Sequence, residues 1–253
     1  MSEIVSPELR KALRRLKLSP MLHTLPERLR WAREREQPHQ DFLELVFTEE
    51  CERRDRLAAT LRAQRARLDP ALQMEAWDDT AKVTYDRALL AELVTLRFLD
   101  AHHNVLIIGP VGVGKTHLAS ALGHLACRRG HSVLLLRTEA MLKLLRAARL
   151  DHSFEREMRR LLSVDLLVLD DFGLDALDAV DSRDLYEVLL ERHQRHSTVI
   201  TSNRAPDEWL ATFCDPLRAQ SIIDRLSNAA YEMVLEGESY RPRQRPRLQR
   251  SDR

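Results

Sequence analysis

The chain has few cysteines and few glycines. The small number of cysteines argues against a disulfide-rich protein. Its 253 residues include only three cysteines and seven glycines. Cys51, Cys127 and Cys214 are odd in number and far apart in sequence, which excludes a disulfide framework and argues against a zinc site. We therefore expect free thiols in a reducing compartment.

Long apolar stretches are also missing from the sequence. No run approaches the roughly 20 apolar residues that a membrane-spanning helix needs, and the first residues lack the apolar centre of a signal peptide. With 44% hydrophobic and 31% charged residues, the composition is typical of a globular protein with a substantial core. We expect a cytoplasmic protein with no membrane partner.

The charge is nearly balanced but unevenly distributed. The formal net charge is +1, which by itself predicts no polyanionic partner. Residues 1–35 carry nine basic and four acidic side chains, and residues 241–253 carry six arginines and one acid. The ends are therefore basic and the middle is acidic.

The few glycines are concentrated in one segment. Residues 109–116 read GPVGVGKT and hold three of the seven glycines. They match the phosphate-binding pattern G-x-x-x-x-G-K-[ST] without a mismatch. An apolar run typical of a buried strand precedes them at 104–108, and a helical pattern follows at 117–129. A strand, a glycine loop and a helix in this order direct several backbone N–H groups toward one point, which lies at the N-terminus of the helix. The segment therefore predicts a site for a nucleoside triphosphate.

Residue types within this loop predict individual roles. Gly112 and Gly114 let the backbone approach the phosphates, and Lys115 is expected to reach the β- and γ-phosphates. Thr116 is expected to place its hydroxyl on Mg²⁺. The predicted nucleotide-binding set comprises Gly109, Pro110, Val111, Gly112, Val113, Gly114, Lys115, Thr116 and His117.

Two later strands end in polar residues that complete such a site. Residues 166–171 read LLVLDD, four apolar residues followed by two carboxylates. We expect Asp170 to hold Mg²⁺ through water and Asp171 to orient or deprotonate the attacking water. Asn203 follows the next strand, where it either hydrogen-bonds the γ-phosphate or the water, or caps the turn. ATP and Mg²⁺ are the predicted cofactors.

Periodicity divides the chain into four segments. Residues 1–68 have helical patterns and residues 69–84 read as a linker. Residues 85–240 alternate helices with short apolar strands, and residues 241–253 form a basic, proline-rich tail that we expect to be disordered. The alternation predicts an α/β fold with a parallel sheet flanked by helices, preceded by a small all-helical domain.

Some finer expectations concern single residues. Ser19, followed by a proline, predicts the N-cap of the second helix. Val83, Tyr85 and Leu89 are candidates for the adenine pocket by position alone. The tryptophans, including Trp77, are expected to pack in the interior rather than to stack on bases. Residues 86–101 are expected to form one helix.

Three segments resemble a known family. They are NVLIIGPVGVGKTHLA, DLLVLDDFGL and IIDRLSNAAYEMVLEGESYR, and they are similar to the IstB-like ATP-binding proteins of insertion sequences. These are AAA+ ATPases related to the helicase loader DnaC, and the resemblance covers nearly the whole chain. It implies Walker A roles for Lys115 and Thr116, Walker B roles for Asp170 and Asp171, and the sensor-1 role for Asn203.

The resemblance also implies two arginine roles. Arg225 looks like the arginine finger and Arg241 like the second sensor. Many AAA+ proteins have glutamate where Asp171 stands, so at this position the chain has a carboxylate on a shorter side chain.

The resemblance implies a function as well. In that family the helper ATPase hydrolyses ATP, forms a homo-oligomer on double-stranded DNA and directs a partner transposase to target sites. The basic residues Arg10, Lys11, Arg14, Arg15 and Lys17 would then meet the transposase or DNA phosphates, unless they are only a solvated helix face.

Other readings stay open for the tail and for the whole chain. The tail at 241–253 is either an auxiliary DNA contact or an inert solubilising segment. A DnaC-like helicase loader is the alternative function. A metabolic kinase is a weaker alternative, because the chain lacks lid and acceptor-site motifs.

Overall fold

The computed structural model describes residues 5–78, 82–228 and 230–240. By backbone contacts the chain divides into two compact units, Met1–Ala58 and Ala59–Arg253. The boundaries of the four segments expected from the sequence remain a prediction.

The first unit is helical in its described residues. It contains α1 (Pro7–Arg15), a 3-10 helix (Ser19–His23), α2 (Leu25–Glu34) and most of α3 (His39–Arg65). A small apolar core lies between these elements and is formed by Val5, Leu13, Met21, Leu25 and Val46.

The second helix begins later than the sequence suggested. Ser19 is the first residue of the 3-10 helix rather than an N-cap, and α2 starts at Leu25. Pro26 explains the difference, since it lies in the first turn of α2. A proline has no N–H and is tolerated at the start of a helix but not in its interior. A single helix therefore does not run through both prolines.

A five-stranded parallel sheet forms the centre of the second unit. The strands described there are β1 (Val83–Thr84), β2 (Asn104–Ile108), β3 (Val133–Arg137), β4 (Leu166–Asp170), β5 (Ser197–Ser202), β6 (Ala230–Val234) and β7 (Glu236–Gly237). The large sheet has the order β3-β4-β5-β2-β6, and all its neighbouring strands are parallel. β1 and β7 form a separate antiparallel pair. The parallel α/β sheet is confirmed.

Helices alternate with these strands. They are α4 (Arg87–Val94), α5 (Arg97–Asp100), α6 (Lys115–Arg128), α7 (Thr138–Leu150), α8 (Phe154–Ser163), α9 (Ala179–Arg192) and α10 (Pro216–Asn228), with 3-10 helices at Met74–Ala76 and Pro206–Thr212. The single helix expected at 86–101 is broken at Leu96, whose φ of 61° is left-handed. Leu96 is buried, and its packing offsets the cost of that backbone angle.

The sheet is covered on both faces. Successive residues of a strand point to opposite faces, and β2 shows this clearly. Val105 and Ile107 belong to one apolar cluster, which includes α4, α5 and α6, and Leu106 and Ile108 belong to a second, which includes α7 to α10. No helix in the described ranges is both long and apolar enough to cross a membrane.

Candidate active site

A glycine loop joins β2 to α6 at the carboxyl edge of the sheet. Gly112 and Gly114 have φ angles of 88° and 102°, a left-handed region that favours glycine. A Cβ atom on Gly112 would lie 2.1 Å from the hydroxyl oxygen of Ser239. The backbone angle and the close neighbour therefore both require glycine at position 112.

A pocket of about 400 Å³ opens along this loop. This volume is in the range of small-molecule sites in proteins. Its walls come from the loop and the start of α6, from the segment before β1, from the ends of β4 and β5, and from the end of the described chain. The lining residues are Ala71, Leu72, Ala76, Trp77, Asp78, Val83, Val111, Gly112, Val113, Gly114, Lys115, Thr116, His117, Asp171, Asn203 and Tyr240.

Lys115 lies inside the loop that it is predicted to serve. Its Nζ atom donates hydrogen bonds of 2.7 Å to the carbonyl oxygens of Gly109 and of Pro110. The ammonium group is thereby held beside the pocket. A phosphate group entering the loop would compete with these carbonyls for the same hydrogens.

Asp170 is the centre of a hydrogen-bonded cluster at the end of β4. The Thr116 hydroxyl donates to one Asp170 carboxylate oxygen at 2.9 Å, and the Thr201 hydroxyl donates to the same oxygen. Thr201 also accepts a hydrogen bond of 3.1 Å from the backbone N–H of Asp171. A buried carboxylate and a threonine hydroxyl provide the hard oxygen ligands that Mg²⁺ prefers, so these residues fit that ion.

Asp171 and Asn203 line the pocket at the ends of adjacent strands. Asp171 has a φ of 56°, so the chain turns sharply immediately after β4. Its side chain is 40% exposed, and its Oδ2 atom lies 3.9 Å from Nε of Arg137. Asn203 follows β5 directly and is exposed. The structure thus brings together the loop, the acidic pair and Asn203.

Arg225, the predicted arginine finger, does not line this pocket. Arg225 lies on α10 and is absent from the lining set. It is half-buried, and its Nη1 atom is enclosed without a hydrogen-bond partner among the described residues. Arg241, like the rest of the tail at 241–253, lies outside the described residues.

Several residues of the site were not predicted for it, and Thr201, Trp77 and Tyr240 are the most informative of them. Thr201 bridges the two aspartates, and Trp77 and Tyr240 line the pocket. The polar ending of β5 was the available signal for Thr201, because parallel strands end at a common edge. The motif GESYR contained Tyr240, but nothing in its spacing indicated that it would meet the loop. The backbone N–H of Tyr240 donates to the carbonyl of Gly112 at 2.8 Å.

The positional expectation for an adenine pocket has a mixed outcome. Val83 lines the pocket. Tyr85 and Leu89 instead pack against the apolar cluster that covers one face of the sheet.

Comparison with known proteins agrees with this geometry. A family model described as IstB-like ATP binding protein matches residues 11–248. The chain belongs to this family. An insertion-sequence ATP-binding protein of Mycobacterium tuberculosis is 41% identical over 244 residues, covering 96% of this chain and 97% of that protein. An insertion-sequence ATP-binding protein of Pseudomonas aeruginosa is 32% identical over 234 residues, with 92% and 88% covered.

Solved structures share the AAA+ P-loop fold of the IstB-like chain. DnaI has a TM-score of 0.56 at 21% identity, covering 64% of this chain and 90% of its own. The DnaC helicase loader has a TM-score of 0.52 at 18% identity, covering 58% and 86%. At these identities the likeness concerns the fold alone.

Proposed function

We propose that this IstB-like protein hydrolyses ATP, assembles on duplex DNA and directs a partner transposase to its target. The contact between Thr116 and Asp170 carries the proposal, because it joins the start of the phosphate-loop helix to the strand-end carboxylate. Relatives named as ATP-binding proteins of insertion sequences support the setting in transposition.

In this proposal the loop and Lys115 bind the triphosphate. Thr116 and Asp170 would hold Mg²⁺, which would supply charge neutralisation for the phosphates. Asp171 orients or deprotonates the water that attacks the γ-phosphate. Asn203, which lines the same pocket, hydrogen-bonds that phosphate or that water.

The backbone conformation at Asp171 supports different roles for the side chains of Asp170 and Asp171. A strand that continued straight would point the two side chains to opposite faces of the sheet. The left-handed angle at Asp171 ends the strand and leaves its side chain on the pocket wall, while Asp170 stays buried. Such an angle costs roughly 1 kcal/mol in a non-glycine residue. The hydrogen bond from its N–H to Thr201 helps to offset that cost.

DNA binding is assigned to the basic ends. On α1 only Leu13 is buried, and Lys11, Arg14 and Arg15 are exposed. Exposed cations of this kind contact phosphates without reading base sequence. The basic tail is the proposed second contact.

A helicase loader remains the alternative function. It would use the same ATP site, and the fold likeness to DnaC does not favour it, because it lies at 18% identity. The relatives at 32% and 41% identity are named as insertion-sequence proteins. A metabolic kinase is disfavoured by membership of the same family.

A strand-transfer assay tests the transposition role. Any transposase encoded beside this gene is supplied with insertion-sequence ends, a target plasmid and Mg-ATP, with or without this protein. We expect targeted insertion with the wild-type protein and with Lys143→Ala, an exposed lysine used as the matched control. Lys115→Ala is expected to lose the stimulation. Insertion that is indifferent to the protein, combined with retention of a replicative helicase on DNA, would favour the loader instead.

A further inference from the structure

The segment of residues 68–78 is bound along α6 and is called the strap here. Two histidines on the same face of α6, about two turns apart, hold its backbone. His124 Nε2 donates to the carbonyl of Asp69 at 2.9 Å, and His117 Nε2 donates to the carbonyl of Gln73 at 2.9 Å. Residues 69–78 of the strap belong to the stretch 69–84 predicted as a linker, yet their path is set by hydrogen bonds to the phosphate-loop helix.

Side chains at the far end of α6 also hold the strap. Arg128 donates to the side-chain oxygen of Gln73 at 2.6 Å and forms an ion pair with Glu75. The hydrogen bond from Arg128 lowers the pKa of the Glu75 carboxyl below its ordinary value. The strap is thus anchored at several points before it reaches Trp77.

Trp77 lies near the end of the strap, directly against the phosphate loop. A Cβ atom on Gly114 would lie 2.9 Å from Cζ3 of the indole. The indole meets the His117 ring edge-on at a centroid distance of 5.4 Å and the Tyr85 ring at 5.8 Å. Its Nε1 donates to the Tyr85 hydroxyl at 3.1 Å. The orientation of the indole is therefore set from three sides.

The pocket that Trp77 lines has two chemically different ends. The phosphate-loop end presents Lys115 and Thr116. The strap contributes mainly apolar lining, Leu72 and Trp77 among it, with Asp78 as its one charged lining residue, and β1 adds Val83. A nucleotide has the same polarity, with charged phosphates at one end and a flat aromatic base at the other. The indole is half-buried, so part of its surface is accessible to such a ligand.

We propose that Trp77 is the base-contacting residue of this site and stacks on the purine ring of the bound nucleotide. This inference rests on the proposed nucleotide-binding function and extends it to base selection. Stacking on an aromatic side chain is tolerant of base identity because every base has a π-face. A purine offers two fused rings to the indole and a pyrimidine only one, so Trp77 favours ATP and GTP over pyrimidine nucleotides by stacking strength. It contributes nothing to the binding of an inorganic phosphate chain.

Binding measurements with two ligands test the assignment. Affinities for Mg-ATP and for inorganic tripolyphosphate are compared in the wild-type protein, Trp77→Leu and Trp77→Phe. Leucine keeps apolar volume against Gly114 but has no π-face, whereas phenylalanine keeps an aromatic ring. We expect Trp77→Leu to weaken ATP binding about tenfold, Trp77→Phe to weaken it much less, and tripolyphosphate binding to stay unchanged in both.

Two outcomes would overturn the assignment. Unchanged ATP affinity in Trp77→Leu would show that the indole does not contact the base. An equal loss of ATP and tripolyphosphate affinity would show that it only supports the loop at Gly114. Failure of the proposed function would give a different result from failure of the Trp77 assignment. If the protein had no nucleotide site, the wild type would bind neither ligand, which is the result expected for Lys115→Ala.

Tryptophan fluorescence gives a second readout that does not require a loss of affinity. The chain has three tryptophans, Trp31, Trp77 and Trp209, and Trp209 is fully buried. We expect Mg-ATP to change the emission of the wild-type protein and of Trp31→Phe, the matched control, and tripolyphosphate to change it far less. Trp77→Phe should lose the ATP-dependent change. A full change retained in Trp77→Phe would contradict the proposal.

Discussion

At the scale of single residues, the Thr201 hydroxyl links the two aspartates that follow one another in sequence. It donates to the buried carboxylate of Asp170 and accepts from the backbone N–H of Asp171. Removing it would take one donor from a carboxylate that is 3% exposed and would leave the N–H of Asp171 without that acceptor. Buried polar groups that lose a partner are costly.

We predict that Thr201→Val lowers ATP turnover roughly tenfold, since the lost hydrogen bonds are worth about 1–3 kcal/mol. Thr201→Ser keeps the hydroxyl and should retain most of the activity. Steady-state turnover of both variants, with thermal unfolding to check the fold, measures the effect. Equal turnover in the valine and serine variants would show that the hydroxyl has no role.

Residues of the site differ in how far sequence could predict them. The loop and the acidic pair are local patterns, and the structure brings them together with Asn203 as expected. Thr201 and Trp77 depend on which strand and which strap lie beside the loop, and no local pattern specifies that. The sequence predicts a packing role for Trp77, and Trp77 does pack against the apolar cluster, but it lines the pocket as well.

At the scale of elements, Arg192 connects the end of α9 to the starts of two central strands. It is 1% exposed and donates to the carbonyls of Leu161 at 2.8 Å, Val164 at 2.9 Å and Ser197 at 2.6 Å. The Leu161 carbonyl lies in the last turn of α8, the Val164 carbonyl just before β4 and the Ser197 carbonyl at the start of β5. One side chain thus donates hydrogen bonds to several backbone carbonyls, away from the carboxyl edge of the sheet that carries the site.

We predict that Arg192→Leu lowers the free energy of unfolding by about 3 kcal/mol, because the carbonyls lose their partner in the interior. Arg195→Ala is the matched control, since Arg195 is exposed and pairs only with exposed Glu191 among the contacts described. Its loss should cost less than about 0.5 kcal/mol. Denaturant unfolding compares the two. Equal small effects would mean that Arg192 contributes little to the strand ends.

The order of strands and helices was predictable because it follows from periodicity. The strands β2, β3 and β4 are short apolar runs, and segments with helical patterns separate them. The break at Leu96 was not predictable, since its left-handed angle is stabilised by burial rather than by residue type. The strap has no periodicity, and its path depends on carbonyl bonds to His117 and His124.

At the scale of the whole molecule, Arg225 bears on whether the protein works as an assembly. It is absent from the pocket lining of its own chain, and its Nη1 atom is enclosed without an acceptor in the described part of the chain. An arginine that stabilises transition-state charge in a neighbouring subunit is likewise absent from its own pocket. For that role the enclosed Nη1 atom of Arg225 would have to turn outward when the subunits assemble. A single chain does not encode how its copies meet, so sequence left this arrangement open.

We predict that Lys115→Ala and Arg225→Ala, each inactive alone, recover part of the activity when mixed. A mixed interface pairs the intact loop of one variant with the intact arginine of the other. Mixing Lys115→Ala with Asp171→Asn should stay inactive, because no pocket in that mixture is complete. If the first mixture also stays inactive while the variants co-assemble on DNA, Arg225 acts within its own chain or is structural.

The central proposal is that the phosphate loop and the two strand-end aspartates hydrolyse ATP. ATP turnover measured in the presence of duplex DNA tests it most directly. We predict that the wild-type protein and Asp175→Asn, an exposed neighbour used as control, hydrolyse ATP with stimulation by DNA. Lys115→Ala should lose both ATP binding and turnover. Asp171→Asn should bind ATP but turn over at least about 100-fold more slowly. Near wild-type turnover in Lys115→Ala or Asp171→Asn would contradict the account.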